Sequence, residues 1–486
     1  MSKTLGECTE VEVIRNPSKE EVSATTTEAF GEELKIDIDR YLQRSVIPNG
    51  RELAVVPKHA PETAATTNKD GADPRPVLAC MAIVPTPLNV AGVPMCAAQM
   101  GFVATRAACR NRGHIRRLYH AFCAACPAAE YPLQIVAGIP NFYRTLGFEY
   151  ALDLPFPGTV PTAFSSDTDG RYTLVRVTTP ALAQTYLDVR ARAWEPLVGV
   201  SRAFATPADL LAATTDALGE IPVVDTDLAQ DFYLVTARDA AAEPCADAVV
   251  AQFLLQSSFD HLAVSELWVR DDVDTAGLDA VVRVAVAQAR RDCAGVRCFP
   301  SVQCPVQPRV AARVLALMQA AEPAFCWGRT YAYYVRIPDC TGFLRRLQPV
   351  LTQRLAAAHD RVSALHLPAE YTLYVSLPYV ENVAVVLADG GARVARIDAV
   401  DDAALGARSA NLYNNVMIRF CNTGAPSEAA HTFAHLPPCA AVRLVLGHAD
   451  IGELDRFFTD VIVLPVARTL LEILFPRMSH VIDCAQ

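Results

Sequence analysis

A short basic segment, residues 110–115, contains residue types that could bind a phosphate group. Its sequence is RNRGHI, and it joins a predicted buried strand (residues 95–104) to a predicted helix (residues 115–125). A helix N-terminus offers unpaired N–H groups and the positive end of the helix macrodipole. Gly113 would let the backbone approach a phosphate closely, while Arg110 and Arg112 add positive charge. The pattern predicts a pyrophosphate site; the alternative is an ordinary strand-to-helix turn on a basic surface.

Two motifs in this part of the chain together resemble the GNAT superfamily of N-acetyltransferases. Arg110 and Gly113 match the first and fourth positions of its R/Q-x-x-G-x-G/A pyrophosphate loop. Ile115 departs from that loop, where the family has Gly or Ala, and would hold the pantetheine side less closely. Downstream, residues 142–148 (FYRTLGF) resemble the closing helix of the family, F/Y-Y-x-x-x-G-F. The two motifs in this order carry the resemblance.

The resemblance implies a binding site for acetyl-coenzyme A as cosubstrate, with no metal. Phe102, Val103 and Thr105 would present backbone groups to the pantetheine arm. The residues that would hold the pyrophosphate are Arg110, Asn111, Arg112, Gly113, His114 and Ile115.

Tyr143 falls where many family members have a tyrosine that protonates the departing thiolate, so the resemblance implies a catalytic role for it. Coenzyme A leaves as an anion, and a nearby phenol can donate a proton or a hydrogen bond as that charge develops. The alternative is a packed aromatic residue beside Phe142 and Phe148, with its hydroxyl bound to a partner.

The elements that position these residues belong to a chain too long for one hydrophobic core. Single cores usually stop growing at about 250 residues, so 486 residues predict two or three domains. Hydrophobic residues make up 52% of the chain and charged residues 20%, as is typical of globular proteins. The predicted fold class is α/β (α+β), with mixed GNAT-type sheets in tandem followed by an α+β domain.

A strand followed by a helix occurs near the N-terminus (residues 11–21) and again at residues 172–184, which indicates a diverged second copy of one unit. A proline-rich linker is predicted between the copies, at residues 154–170, and a surface excursion at residues 59–73. A third region begins with an amphipathic helix at residue 341.

This order resembles acetyltransferases of the enhanced intracellular survival type, which have a GNAT domain, a degenerate second GNAT domain and a C-terminal domain with the sterol carrier protein fold. The predicted domains are residues 1–160, 161–338 and 339–486. In the second copy, Asp271, Asp272 and Asp274 occupy the position of the phosphate loop and would repel pyrophosphate. Relatives of this architecture assemble into larger rings, so a homo-oligomer is one assembly that the resemblance allows, and the oligomeric state is open.

The general base is not assigned. Glu149, His114 and carboxylates of the first helix are candidates, but none has a spacing that selects it. In enzymes of the enhanced intracellular survival type, the terminal carboxylate of the chain acts as the base. Residues 483–486 (DCAQ) do not match the aromatic ending expected there, so the role of Gln486 is open.

Charge and composition narrow the partners. A formal net charge of −10 argues against a nucleic-acid partner and suits a cationic small substrate. No segment has the apolar core of a signal peptide or the roughly 20 apolar residues of a spanning helix, which predicts a cytoplasmic protein with no membrane partner. The 15 cysteines are scattered through apolar surroundings in a chain too large to need disulfides, so they are interpreted as reduced core thiols. The C-x-x-C of Cys123 and Cys126 lacks the further ligands that a zinc site needs.

The function indicated is an acyltransferase that moves acetyl from acetyl-coenzyme A to a primary amine of a small molecule or of lysine, by direct attack on the thioester. The alternative is a non-catalytic acyl-coenzyme A-binding or regulatory protein with a GNAT fold. Lipid carriage by the C-terminal domain is a third hypothesis, although a fold alone does not fix a ligand.

Overall fold

The computed structural model describes residues 11–15, 17–31, 52–58, 75–154, 157–194, 199–202, 204, 206–214, 230–240, 243–258, 261–294, 298–328, 331–378, 380–396 and 431–481. The predicted surface excursion at residues 59–73 and the C-terminal residues 483–486 lie outside these ranges. Within them, each helix is too short or too polar to cross a membrane.

The elements follow one another along the chain in three groups. The strands are β1 (Val11–Arg15), β2 (Glu52–Pro57), β3 (Ala79–Val90), β4 (Val93–Thr105), β5 (Leu133–Val136), β6 (Glu149–Leu154), β7 (Gly158–Thr159), β8 (Tyr172–Arg176), β9 (Val200–Arg202), β10 (Gln230–Ala237), β11 (Val249–Ser258), β12 (His261–Val269), β13 (Phe299–Val302), β14 (Tyr331–Arg336), β15 (Glu370–Leu377), β16 (Glu381–Ala388), β17 (Gly391–Arg396), β18 (His431–His435), β19 (Ile462–Val463) and β20 (His480–Val481). The α-helices are α1 (Lys19–Phe30), α2 (His114–Ala125), α3 (Pro180–Val189), α4 (Pro207–Ala212), α5 (Thr275–Cys293), α6 (Pro308–Ala321), α7 (Cys340–Ala357), α8 (His359–Ser363), α9 (Pro438–Val445), α10 (Ile451–Phe457) and α11 (Pro465–Leu474).

The first sheet has the order β1-β2-β3-β4-β5-β14-β6, with β9 pairing β3 and β20 pairing β9. Strands β3 and β4 form a hairpin, whose turn contains Ala91 and Gly92 at positive φ. β4 and β5 are parallel, and their pairing is confined to residues 97–99 of β4. Helix α2 connects these two strands and buries Leu118 and Phe122 against the sheet.

The second sheet repeats this arrangement, with the order β7-β13-β12-β11-β10-β8. β12 and β13 are its parallel pair, and α5 connects them as α2 connects β4 and β5. The two sheets also exchange a strand. β14 follows the second sheet in sequence but lies between β5 and β6 of the first sheet. β7 follows β6 in sequence but pairs with β13 of the second sheet. Mixed sheets in tandem confirm the predicted fold class.

The third sheet has the order β17-β16-β15-β18-β19 and is covered by α7 and α11. Its core continues into the first sheet, because Leu133, Ile135 and Val335 belong to the same cluster as Phe343 and Leu470. The first sheet is therefore buried on both faces, by α2 on one side and by the C-terminal elements on the other. The predicted sterol carrier protein-like fold of this region stays a prediction.

Gly447 lies where the C-terminal segment returns to the core, in contact with Met478. Its φ is +65°, and a Cβ at this position would lie 2.6 Å from Cγ and 2.7 Å from the backbone N of Met478. We expect Gly447→Ala to lower Tm by about 3 °C or more, since it adds a backbone clash to the cost of a left-handed alanine. Differential scanning calorimetry would measure this shift.

Gly390 supplies the matched control, since its φ is +74° and a Cβ there would have no neighbour within 4 Å. Gly390→Ala should show the backbone cost alone and a smaller fall in Tm. Equal falls for the two variants would contradict the close packing of Met478 on Gly447.

Candidate active site

The site lies at the edge of the first sheet where β4 and β5 separate. The two strands pair from Ala97 to Gln99 of β4, and within the described ranges no strand pairs with that edge of β4 beyond Gln99. Both strands end at the same edge because they are parallel, and ligands of mixed and parallel sheets bind at the carboxyl ends of strands. The phosphate loop (residues 110–115) follows β4, and Tyr143 follows β5. The structure thus brings the two predicted motifs to one edge.

A bulge at Phe102 turns the end of β4 away from regular pairing. Phe102 has φ +47°, and the register with β3 shifts opposite it, between Cys80 and Ala82. Beyond the bulge, Ala104 pairs with Cys80 and the Arg106 N–H donates to the Leu78 carbonyl at 3.0 Å.

Alternate peptide groups of an extended strand face opposite edges. Since Ala104 faces β3, the peptide groups of Val103 and Thr105 face the opposite edge, which we call the open edge of β4 (residues 100–105). Buried N–H and C=O groups need partners, so an extended arm laid along this edge would complete the pairing. The geometry fits the predicted pantetheine contacts of Val103 and Thr105. Phe102 contributes the bulge itself.

The phosphate loop has the backbone conformation that an anion site needs. Asn111 and Gly113 are left-handed, with φ of +62° and +75°. Gly113 is the N-cap residue of α2 and provides no side-chain cap, so the N–H groups of the first turn are not covered from that position. A Cβ on Gly113 would have no neighbour within 4 Å, which shows open space beside the helix N-terminus.

Two arginines of the loop carry its charge. Arg110 and Arg112 are exposed, and in the described part of the chain neither guanidinium group has a hydrogen-bond or ion-pair partner. His114 is buried, and neither ring nitrogen has a hydrogen-bond partner among the described residues. Burial, with Arg117 and Arg112 nearby, lowers the pKa of His114 below its ordinary 6.5, so the ring is neutral at pH 7. Ile115 is half-buried against the core of the first sheet.

Tyr143 lies in an aromatic cluster at the end of β5. It is 4% exposed, and its ring centroid lies 5.1 Å from that of Phe142 and 6.3 Å from that of Phe148. The ring covers Gly138, where a Cβ would lie 2.2 Å from Cε2 of Tyr143. The predicted closing helix is wrong in kind. It is a single 3-10 turn, Tyr143–Leu146, that ends at Gly147 with φ +84°, because the left-handed glycine follows too soon for an α-helix.

The candidate carboxylate bases already bind other groups. Glu149 accepts hydrogen bonds from Nε of Arg144 at 3.1 Å and from the Tyr150 N–H at 2.9 Å. In α1, Glu21 pairs with Arg106 at 2.9 Å, and Glu28 accepts the Ala107 N–H at 2.8 Å. These interactions give the carboxylates structural roles, and the general base stays unassigned.

Sequence reasoning missed Arg106. Nε of Arg106 donates to the Val77 carbonyl at 2.7 Å, while Nη2 binds Glu21 and Nη1 lies 3.5 Å from Glu28. Together these contacts fasten α1 to the residues that lead into the phosphate loop. An arginine placed four residues before Arg110 was visible in the sequence, but its partners on α1 are 78 and 85 residues away.

The second sheet repeats the bulged strand and the helix N-terminus of the first. Its own side chains occupy both places. Glu266 in β12 has φ +50°, like Phe102, but its carboxylate lies 3.2 Å from Arg190, and both side chains are buried. Asp274 caps α5 by accepting the Gly277 N–H at 2.7 Å, and Arg309 donates to the Val269 carbonyl at 3.1 Å. A carboxylate thus occupies the helix terminus that a phosphate would need.

Comparison with known proteins agrees with this geometry. The model of the acetyltransferase (GNAT) domain family matches residues 71–151, which contain β3, β4, the phosphate loop, α2 and Tyr143. This segment is similar to a GNAT acetyltransferase domain. The match supports acyl transfer as the general chemistry of the chain. None of the curated proteins matches it.

Solved structures resemble the chain over its whole length. A probable N-acyltransferase of unknown function from Enterococcus faecalis V583 is 12% identical, with a TM-score of 0.59 and coverage of 98% of this chain and 99% of that one. A GCN5-related N-acetyltransferase from Kribbella flavida is 15% identical, with a TM-score of 0.57 and coverage of 98% of each chain. Eis1 from Mycobacterium abscessus is 12% identical, with a TM-score of 0.50 and coverage of 98% and 100%. At these identities the likeness shows a shared fold.

Gly113 provides the test of the phosphate loop. Gly113→Ala should weaken coenzyme A binding by about tenfold, because alanine at φ +75° costs roughly 1–2 kcal/mol and its methyl group enters the space beside the helix N-terminus. Isothermal titration calorimetry with coenzyme A would give Kd.

Gly92, in the β3–β4 turn of the same domain, is the control. It is exposed, has φ +88° and also has open space around a Cβ. Gly92→Ala should bind coenzyme A like the unchanged protein. Normal affinity in Gly113→Ala would count against the phosphate loop.

Proposed function

We propose that this protein transfers an acetyl group from acetyl-coenzyme A to a primary amine. The observation that carries the proposal is the open edge of β4 beside the uncapped N-terminus of α2. One surface can hold an extended thiol-bearing arm and the other its pyrophosphate. Bound acetyl-coenzyme A would supply an activated thioester carbonyl.

The residues of this chain would act on that thioester through backbone and side chain. Arg110 and Arg112 attract the pyrophosphate, while the N–H groups at the start of α2 bind its oxygens. Backbone N–H groups of the open edge fix the arm and polarise the carbonyl. His114, being neutral, adds no charge to the phosphate loop.

Tyr143 is the proposed acid. Its ring is fixed between Gly138 and the aromatic cluster, at the end of the strand that separates from β4. After the amine has added to the carbonyl, a phenol there would donate a proton to the sulfur as the C–S bond breaks and coenzyme A leaves as a thiol. The acceptor amine must lose a proton before or during its attack. The group that accepts this proton is not assigned.

The proposed acceptor is a primary amine of a small molecule or of a lysine side chain. The net charge of −10 favours a cationic substrate, which would be attracted before it loses its proton. Release of free thiol from acetyl-coenzyme A with a panel of polyamines, aminoglycosides and lysine peptides would test this. Thiol release with none of them, together with normal coenzyme A binding, would favour the non-catalytic acyl-coenzyme A-binding alternative.

Tyr143→Phe tests the acid. The variant keeps the ring that packs on Gly138 and loses only the proton donor, so turnover should fall about a hundredfold while coenzyme A affinity stays near that of the unchanged protein. Steady-state rates of thiol release and calorimetry would give the two quantities.

Tyr119→Phe is the control, because Tyr119 is a buried tyrosine of the same core, with its ring 6.1 Å from Phe148. It should turn over like the unchanged protein. A Tyr143→Phe variant as fast as this control would rule out the proposed acid.

A further inference from the structure

We propose that Tyr334, on the exchanged strand β14, positions Tyr143 for the acid step. The inference rests on the proposed function, because it concerns where the Tyr143 hydroxyl is held. Tyr334 does not reach the reacting atoms in this proposal. It acts through the segment that joins β5 to the 3-10 turn, residues 137–142, which we call the acid loop.

The hydroxyl of Tyr334 binds the acid loop at two points. It donates to the Ile139 carbonyl at 3.2 Å and accepts a hydrogen bond from the Asn141 N–H. Asn141 has φ +67°, a conformation that an asparagine adopts at some cost. A single buried phenol thus holds both sides of a left-handed turn.

The ring of Tyr334 is itself fixed. Tyr334 is 0% exposed, and its ring stacks on Tyr150 of β6 with a centroid separation of 4.0 Å. The strand that contains Tyr334, β14, pairs with β5 on its other edge, where Val335 lies opposite Ile135. The hydroxyl is therefore presented from the interior of the sheet and not from a mobile side chain.

Two apolar side chains of the acid loop lie outside the core. Ile139 is 68% exposed and Phe142 is 39% exposed, so neither apolar side chain is buried under the sheet. The loop does make a local hydrogen bond, from the Phe142 N–H to the Ile139 carbonyl at 3.3 Å, but that bond closes the turn without tying it to the sheet.

The loop in turn determines where Tyr143 lies. The Tyr143 ring lies against the Cα of Gly138, at the start of the loop, and its centroid is 5.5 Å from that of Tyr334. A shift of the Gly138 backbone must move the ring that rests on it, and displacement of a catalytic group by about 1 Å can cost up to about a hundredfold in rate. Tyr334 thereby determines the position of the Tyr143 hydroxyl, the proposed acid.

The experiment compares four variants by rate of thiol release, coenzyme A affinity and amide hydrogen exchange. They are Tyr334→Phe, Tyr143→Phe, the double variant, and Tyr333→Phe as control. Tyr333 is buried on the same strand but belongs to the core shared with the C-terminal elements. Its loss of a hydroxyl should leave turnover and the exchange of the acid loop unchanged.

We expect Tyr334→Phe to lower turnover about tenfold with coenzyme A affinity unchanged, and to speed exchange of the Asn141 amide. The double variant should be no slower than Tyr143→Phe alone, because Tyr334 acts through Tyr143. Normal turnover in Tyr334→Phe, unchanged exchange at Asn141, or losses that multiply in the double variant would each overturn the positioning role.

The same set separates this inference from the proposed function. Normal turnover in Tyr143→Phe would remove the acid, and with it the positioning of that acid. A loss in Tyr143→Phe with a fully active Tyr334→Phe would overturn only the role of Tyr334. Hydrogen exchange needs no acceptor amine, so it tests the anchoring of the loop even where no amine in the panel reacts.

Discussion

The structure of the site depends on one backbone constraint, the interruption of β4 at Phe102. Up to Gln99, β4 pairs with β3 on one edge and with β5 on the other; from residue 100 through the bulge and beyond it, only the β3 edge is paired among the described residues. Peptide groups that lose a strand partner must find another, which makes the open edge of β4 a place for an extended ligand. The divergence also separates the ends of β4 and β5, the two strands after which the phosphate loop and Tyr143 follow in the chain.

In the second copy, side chains of the protein occupy the places that are open in the first copy. The left-handed residue recurs at Glu266, yet a buried ion pair with Arg190 occupies that region, and Asp274 occupies the helix terminus. Burying two charges is costly unless they pair, so the contact between Arg190 and Glu266 is hard to open for a ligand. In the first copy no acidic residue caps α2, and Gly113 stands where Asp274 stands in the second.

The sequence predicts the features that depend on neighbours along the chain. Strand alternation, the β3–β4 hairpin, the start of α2 near residue 114 and the repeated order of elements all follow from local patterns. The family motif predicts a helix at residues 142–148, but the left-handed Gly147 limits it to the 3-10 turn Tyr143–Leu146. The exchange of β7 and β14 was not predicted, since periodicity says which residues form a strand but not which sheet receives it. The contacts of Arg106 with α1 were missed for the same reason, as they join residues far apart in sequence.

Strand exchange has a consequence for the chemistry of the first copy. β14 lies between β5 and β6, so the GNAT sheet is closed by residues that come after the whole second sheet. A loop with exposed apolar side chains, such as the acid loop, cannot hold a left-handed turn in one place by burial alone. It needs a polar partner fixed in the core, and Tyr334 on β14 is such a partner. Residues 71–151 therefore contain the phosphate loop and Tyr143, while part of what holds Tyr143 in place comes from residues 331–336. The second copy, whose own helix terminus is capped by Asp274, still contributes to the first sheet through strand β14.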